Sequence, residues 1–149
     1  MKPEQFNLKV NPEALVKRTE EQLHFLGTRT TYFDNANVEG VCVPVPVLKY
    51  KIFDSYPDVF VGFSTRLGGV SKDYLGSMNL SFTRGDDKAC VLENHRRFAA
   101  ACGYDEKKLV FSDQVHKTTL RIVTKEDMGK GIYKDRDFSE IDGLLTQET

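Results

Sequence analysis

The sequence is poor in the residues that metal enzymes and disulfide-stapled proteins depend on. Its 149 residues contain three histidines (His24, His95, His116) and three cysteines (Cys42, Cys90, Cys102). An odd cysteine count without CxxC spacing excludes a disulfide framework and a self-contained zinc knuckle, and suits a reducing, cytoplasmic setting. Neither sign of charge dominates. Lys+Arg number 21 against Asp+Glu 22, a formal net charge of -1, so no field is expected to draw in nucleic acid or an anionic membrane. No apolar run approaches membrane-spanning length, and MKPEQFNLKV lacks the apolar core of a signal peptide. Repeats and low-complexity segments are also missing.

What is present suits one folded domain. A length of 149 residues with 40% hydrophobic residues is enough for a real core. Residues 11–27 carry helix punctuation: Asn11 to cap, Pro12 at the first helical position, Glu13 against the dipole and Gly27 to close. Leu15, Val16, Leu23 and Leu26 fall near one face, and His24 reads as a surface or boundary residue of that helix.

Residues 41–53, VCVPVPVLKYKIF, are β-branched, but Pro44 and Pro46 each remove a donor, which predicts an edge strand or extended segment. Residues 59–66, VFVGFSTR, read as a buried strand, and 78–82, MNLSF, as a short alternating one. Asp86 or Asp87 can cap a helix running to about Cys102. On it Val91, Leu92, Phe98, Ala99 and Cys102 form an apolar stripe, with Gly103 as the stop. His95, between Asn94 and Arg96, reads as part of a solvated face; Cys90 and Cys102 read as small core residues. Residues 109–124 predict a long strand or a bent pair, 126–140 a mobile loop, and 141–146 a further strand. This order of elements predicts an α/β or α+β domain with a mixed sheet flanked by helices. Residues 1–58 are expected to pack as a leading segment on a domain formed by 59–149. That domain breaks off at Thr149 just after a strand begins, and is expected to be truncated at its C-terminal side.

Three places could carry chemistry. Arg66-Leu67-Gly68-Gly69-Val70-Ser71 follows a predicted strand. Glycines let backbone N–H groups approach an anion, and the arginine fork matches phosphate or carboxylate; the same pair also suits a plain tight turn with positive φ. Asn79, between Ser77 and Ser81, could read a ribose hydroxyl or a base edge, or bond within its own turn. His116, in LVFSDQVHKT, could bind zinc or copper or act as a general base, yet no other histidine or cysteine lies at suggestive spacing. Taken alone His116, Asp113 and Asp142 read as structural. These residues alone point to a candidate anion loop and an isolated histidine, and not to a reaction.

Taken together, GFSTRLGGVS (62–71), SMNLSFTRGDD (77–87), ENHRRFAAACG (93–103), LVFSDQVH (109–116) and IDGLLT (141–146) resemble the laccase-domain family, known both as multicopper polyphenol oxidases and as purine nucleoside phosphorylases. The resemblance covers roughly residues 59–149. It implies an α/β fold like that of a toxin deamidase domain, and a metal site, usually zinc with copper as the other candidate. One ligand would be His116; a cysteine and a second histidine are expected beyond Thr149, in segments that follow the DGLLT strand and that this sequence does not contain. It further implies phosphorolysis of adenosine or inosine to base and ribose 1-phosphate, with related adenosine deaminase and methylthioadenosine phosphorylase activities. His116 and Arg66 are then the expected catalytic residues, and Arg66, Ser71 and Asn79 the expected contacts to nucleoside and phosphate. A phenol-oxidising copper enzyme and a non-catalytic binding module are the competing expectations.

Overall fold

The computed structural model describes residues 31–148. The helix expected over 11–27, with His24, lies outside the described residues, as does Thr149, where the sequence led us to expect a truncated domain. The chain divides into two compact units, one ending at Gly103 and the other starting at Tyr104. The architecture is mixed α/β, as expected.

The first unit holds a three-stranded antiparallel sheet in the order β1 (Thr31–Ala36), β2 (Val45–Tyr50), β3 (Phe63–Ser64). β2 is therefore central, not the edge strand that its prolines suggested. The register explains why Pro46 is tolerated. It lies opposite Asn35 of β1, while β3 pairs only with Val47 and Leu48. At Pro46 the sheet is two strands wide, so the missing N–H costs at most one ladder bond. Val45 and Val47 are fully buried.

The buried strand expected over 59–66 is two residues long and exposed, with Val59, Phe60 and Phe63 open to solvent. Its lead-in is consumed by turns, in which Tyr56 N–H donates to Phe53 and Val59 N–H to Tyr56. Residues 78–82 form no strand; Met78 is buried and Asn79–Phe82 run into turns.

Helix α1 (Lys88–Cys102) is the helix expected there. The Asp87 carboxylate accepts from Ala89 N–H at 2.8 Å, and Gly103 closes the helix in the left-handed conformation, φ 78°. α1 packs on β2, with Val91, Phe98 and Ala99 buried.

The second unit has one parallel pair, β4 (Leu120–Ile122) beside β5 (Gly143–Leu145). The long strand expected over 109–124 is reduced to β4. Its first part is claimed by the loop that follows: Gly129 N–H donates to Leu109 (2.8 Å) and Phe111 N–H to Lys130 (2.9 Å). That loop, expected to be mobile, is a close-packed series of turns. Asp127 and Ile132 are buried, and Thr124 and Asp127 form a reciprocal capping box. Lys130 Nζ bridges Asp127 (2.7 Å) and Asp137 (2.9 Å), while the Arg121 guanidinium stacks 4.5 Å from the Phe138 ring. No helix among the described residues is long and apolar enough to cross a membrane.

Candidate functional site

The Gly-rich loop of the first unit is held by a polar network. Gly68 takes φ 84°, and a Cβ there would stand 2.7 Å from Val45 Cγ2. At Gly69 a Cβ would collide with the Ser77 carbonyl oxygen and lie 2.6 Å from Asn94 Oδ1. The glycines thus serve a turn and a close approach. The N–H groups that an anion cradle would offer are already engaged. Gly69 N–H donates to Ser77 Oγ (3.2 Å), Val70 N–H to Asn94 Oδ1 (2.8 Å) and Ser71 N–H to the Ser77 carbonyl (2.9 Å).

The structure brings Ser71 and Asn79 together on one carboxylate. Asp86 Oδ2 accepts from Ser71 Oγ (2.6 Å) and Asn79 Nδ2 (2.9 Å). These bonds, Ser71 first and then Asn79, hold the Asp86 carboxyl below the ordinary carboxylate range. Asn79 also bonds both backbone groups of Ser81. Both candidates therefore spend their polar atoms inside the fold.

Arg66 anchors the same loop differently. Its Nε donates to the Gly76 carbonyl (3.1 Å) and its Nη2 to that of Tyr74 (2.7 Å). The bonds to Gly76 and Tyr74 are solvent-exposed, and the guanidinium makes no other hydrogen bond among the described residues.

Sequence reasoning missed the organising residue, Asn94. It is fully buried and donates to Ser71 Oγ (2.8 Å) and the Asn79 carbonyl (2.8 Å) while accepting from Val70. His95 corrects another expectation. It is 1% exposed, not on a solvated face; its Nε2 lies 3.0 Å from the Leu80 carbonyl and its ring stacks on Phe82. Helical spacing carried the signal: 94, 95 and 98 follow Val91 at i+3, i+4 and i+7, which is the buried face.

His116 lies in the second unit. It is exposed, takes a left-handed backbone with φ 60°, and its ring has no hydrogen bond among the described residues. Such a φ costs a non-glycine residue on the order of 1 kcal/mol and needs support from its surroundings. Asp142 supplies it. Asp142 Oδ1 accepts from Val115 N–H (3.0 Å) and His116 N–H (2.7 Å), and Oδ2 from Lys117 N–H (2.9 Å). Lys117 Nζ pairs with Glu140 at 2.7 Å, an exposed contact. Asp113 is half-buried, with one carboxylate oxygen enclosed and unpartnered.

The described residues do not fit a metal centre. No group of three or more His, Cys, Asp or Glu among them could hold an ion. Cys42 is exposed, Cys90 half-buried, and burial pushes the Cys102 thiol up to about 11, away from the thiolate a metal needs. His116 is a single donor. The cysteine and second histidine that the resemblance places beyond Thr149 lie outside the described residues, which end at Glu148.

The first unit is thus mixed α/β with a polar-locked Gly-rich loop, and the second presents the exposed His116. The family described as multi-copper polyphenol oxidoreductase laccase matches residues 60–149, and the chain belongs to it. That description associates the family with copper. Among curated relatives, purine nucleoside phosphorylase YlmD of Geobacillus stearothermophilus is 36% identical over 91 residues, covering 58% of this chain and 32% of the relative. Purine nucleoside phosphorylase YlmD of Bacillus subtilis is 34% identical over 92 residues, 61% of this chain and 33% of the relative. The chain thus spans about a third of the length of these relatives. The crystal structure of hypothetical protein YfiH from Bacillus licheniformis superposes with a TM-score of 0.60 at 29% identity, covering 67% of this chain and 37% of that one. That of YlmD from Geobacillus stearothermophilus gives 0.58 at 26% identity, covering 78% and 42%.

Proposed function

We propose that this chain carries part of a purine nucleoside phosphorylase. The observation that supports the reading is the family match over residues 60–149, which takes in Arg66 and His116, joined to curated relatives named for that activity. In the reaction a phosphate oxygen bonds to the ribose anomeric carbon as the glycosidic C–N bond breaks. The bonding pair leaves with the base, and a base nitrogen takes a proton.

Each unit carries one candidate group. Arg66 offers further donors on a side chain already anchored by two loop carbonyls, a preorganised partner for phosphate. His116 offers an exposed imidazole able to give or take a proton, or to act as one donor to zinc or copper. Ser71 and Asn79 act through Asp86, by fixing the loop that carries Arg66. Adenosine and inosine are the proposed nucleosides, and the same groups would serve the related deaminase and methylthioadenosine activities.

The test is titration of the 149-residue chain with inorganic phosphate and with adenosine, followed by NMR, with base release measured in the same sample. The reading expects phosphate to shift the Arg66 side-chain resonance and Arg66→Ala to abolish phosphate binding. Phosphate binding that survives Arg66→Ala overturns the role of Arg66. As part of the enzyme, the 149-residue chain alone is expected to bind adenosine without turning it over; base release by it would overturn the competing reading of a non-catalytic binding module. The family's own description favours a second reading, a copper-dependent phenol oxidase. It needs several clustered histidines, and of three in the chain His95 is committed to the core. Oxygen uptake with copper and a phenol would establish it.

A further inference from the structure

We propose that Asp142 is the positioning residue for His116. The nucleoside role of His116 rests on the reading above; the positioning rests on geometry. Three consecutive backbone N–H groups, those of Val115, His116 and Lys117, converge on one carboxylate at 3.0, 2.7 and 2.9 Å. Three successive amides can point to one side only if the chain turns sharply, and His116, at φ 60°, is the residue that turns. The acceptor is itself fixed. Asp142 N–H donates to the Thr119 carbonyl (2.9 Å), and the Asp142 carbonyl accepts from Gln114 Nε2 (3.1 Å). Its neighbour Gly143 opens β5, opposite Leu120 of β4.

The side-chain type matters. A carboxylate presents two accepting oxygens, enough for all three amides. An asparagine keeps one oxygen and turns an NH2 toward the other donor, so the Lys117 amide would face a donor instead of an acceptor. The result is an imidazole that is exposed and, among the described residues, unbonded, on a backbone pinned by three hydrogen bonds, which is how a reactive side chain is held without being consumed. Lys117 and Glu140, paired beside the turn, are the charged groups flanking it.

The test uses NMR on the whole 149-residue chain. A positive φ brings N–H and Hα of one residue close, giving a strong intraresidue NOE at His116. In Asp142→Ala that NOE should be lost, the amides of 115–117 should exchange at least roughly tenfold faster, and cross-peaks of residues 31–103 should stay in place. In Asp142→Asn the loss should centre on Lys117, and adenosine affinity read from the His116 ring should fall roughly tenfold with the fold intact. An unchanged NOE and unchanged exchange in Asp142→Ala overturn the proposal, as does a lost turn with unaltered adenosine affinity. A wild-type His116 ring that ignores adenosine, while the turn still depends on Asp142, upholds the positioning and removes the nucleoside reading.

Discussion

Asp86 and Asp142 are the same side chain put to opposite uses. Asp86 gathers two side chains, Ser71 and Asn79, besides the neighbouring Asp87 N–H, and through Ser71 joins a network centred on buried Asn94. The Asp142 carboxylate gathers only backbone, the amides of 115–117, and leaves the side chains around it outside. The first arrangement makes a scaffold whose polar atoms are spoken for. The second makes a platform that leaves His116 free to meet a ligand. Polar residues near a candidate site thus divide into those that build it and those that it presents, and hydrogen-bond partners rather than residue type decide which is which.

The largest expected effect lies at the hub of the first arrangement. Asn94→Leu strands the Val70 amide and the Asn79 carbonyl in a half-buried place and leaves the Ser77 carbonyl with the Ser71 N–H alone; it should cost about 3 kcal/mol in urea unfolding. Gly69→Ala forces a methyl against the Ser77 carbonyl and should cost about 2 kcal/mol by the same measurement. Asp86→Asn can keep its one oxygen on Ser71 and Asn79, which share Oδ2, but turns an NH2 group toward the Asp87 N–H that Oδ1 accepts; a loss of about 1 kcal/mol is expected in thermal melts.

Acid should act on both units. Ion pairing with Arg96, then Arg97, lowers Glu93 from 4.5 to about 2, and Lys130, then the Thr124 amide, lowers Asp127 from 3.8 to about 2. Folded-state values below the unfolded ones mean that stability is present above the unfolded values and is lost as pH falls through the folded ones. Melting temperature should therefore drop between about pH 4.5 and 2, and Glu93→Gln and Asp127→Asn should each flatten that slope. The smallest effect is expected on the open face of β4. Ile122 is 71% exposed, so Ile122→Thr should change unfolding free energy by no more than about 0.5 kcal/mol. A large loss there would show that this face is covered in solution.

The parts legible in the sequence were local. Asp87, Gly103 and the apolar spacing of 88–102 are helix signals that need no tertiary knowledge, and α1 is where they place it. The strand content of 143–145 also showed. What failed depended on neighbours. Pro46 was misread because the tolerance comes from where β3 stops, and 59–66 because β-branched residues predict a strand without saying that anything covers it. His95 and Asn94 were judged by polarity when their periodicity put them inside. At the candidate site, Arg66 and His116 were visible as residue types. Asp86 showed only as a possible helix cap and Asp142 only as a structural residue; what they gather did not show, since they act across 15 and 26 residues of chain.

That span of 26 residues also has a meaning in time. Every bond that bends the backbone at His116 comes from a residue that leaves the ribosome after it. Until Asp142 has emerged and docked on Thr119, the segment around His116 has no acceptor to turn toward, and closing so long a loop is slow beside the local coiling of α1. The turn at His116 is therefore expected to form later than α1, and its NOE would serve as a clock for the docking of Asp142.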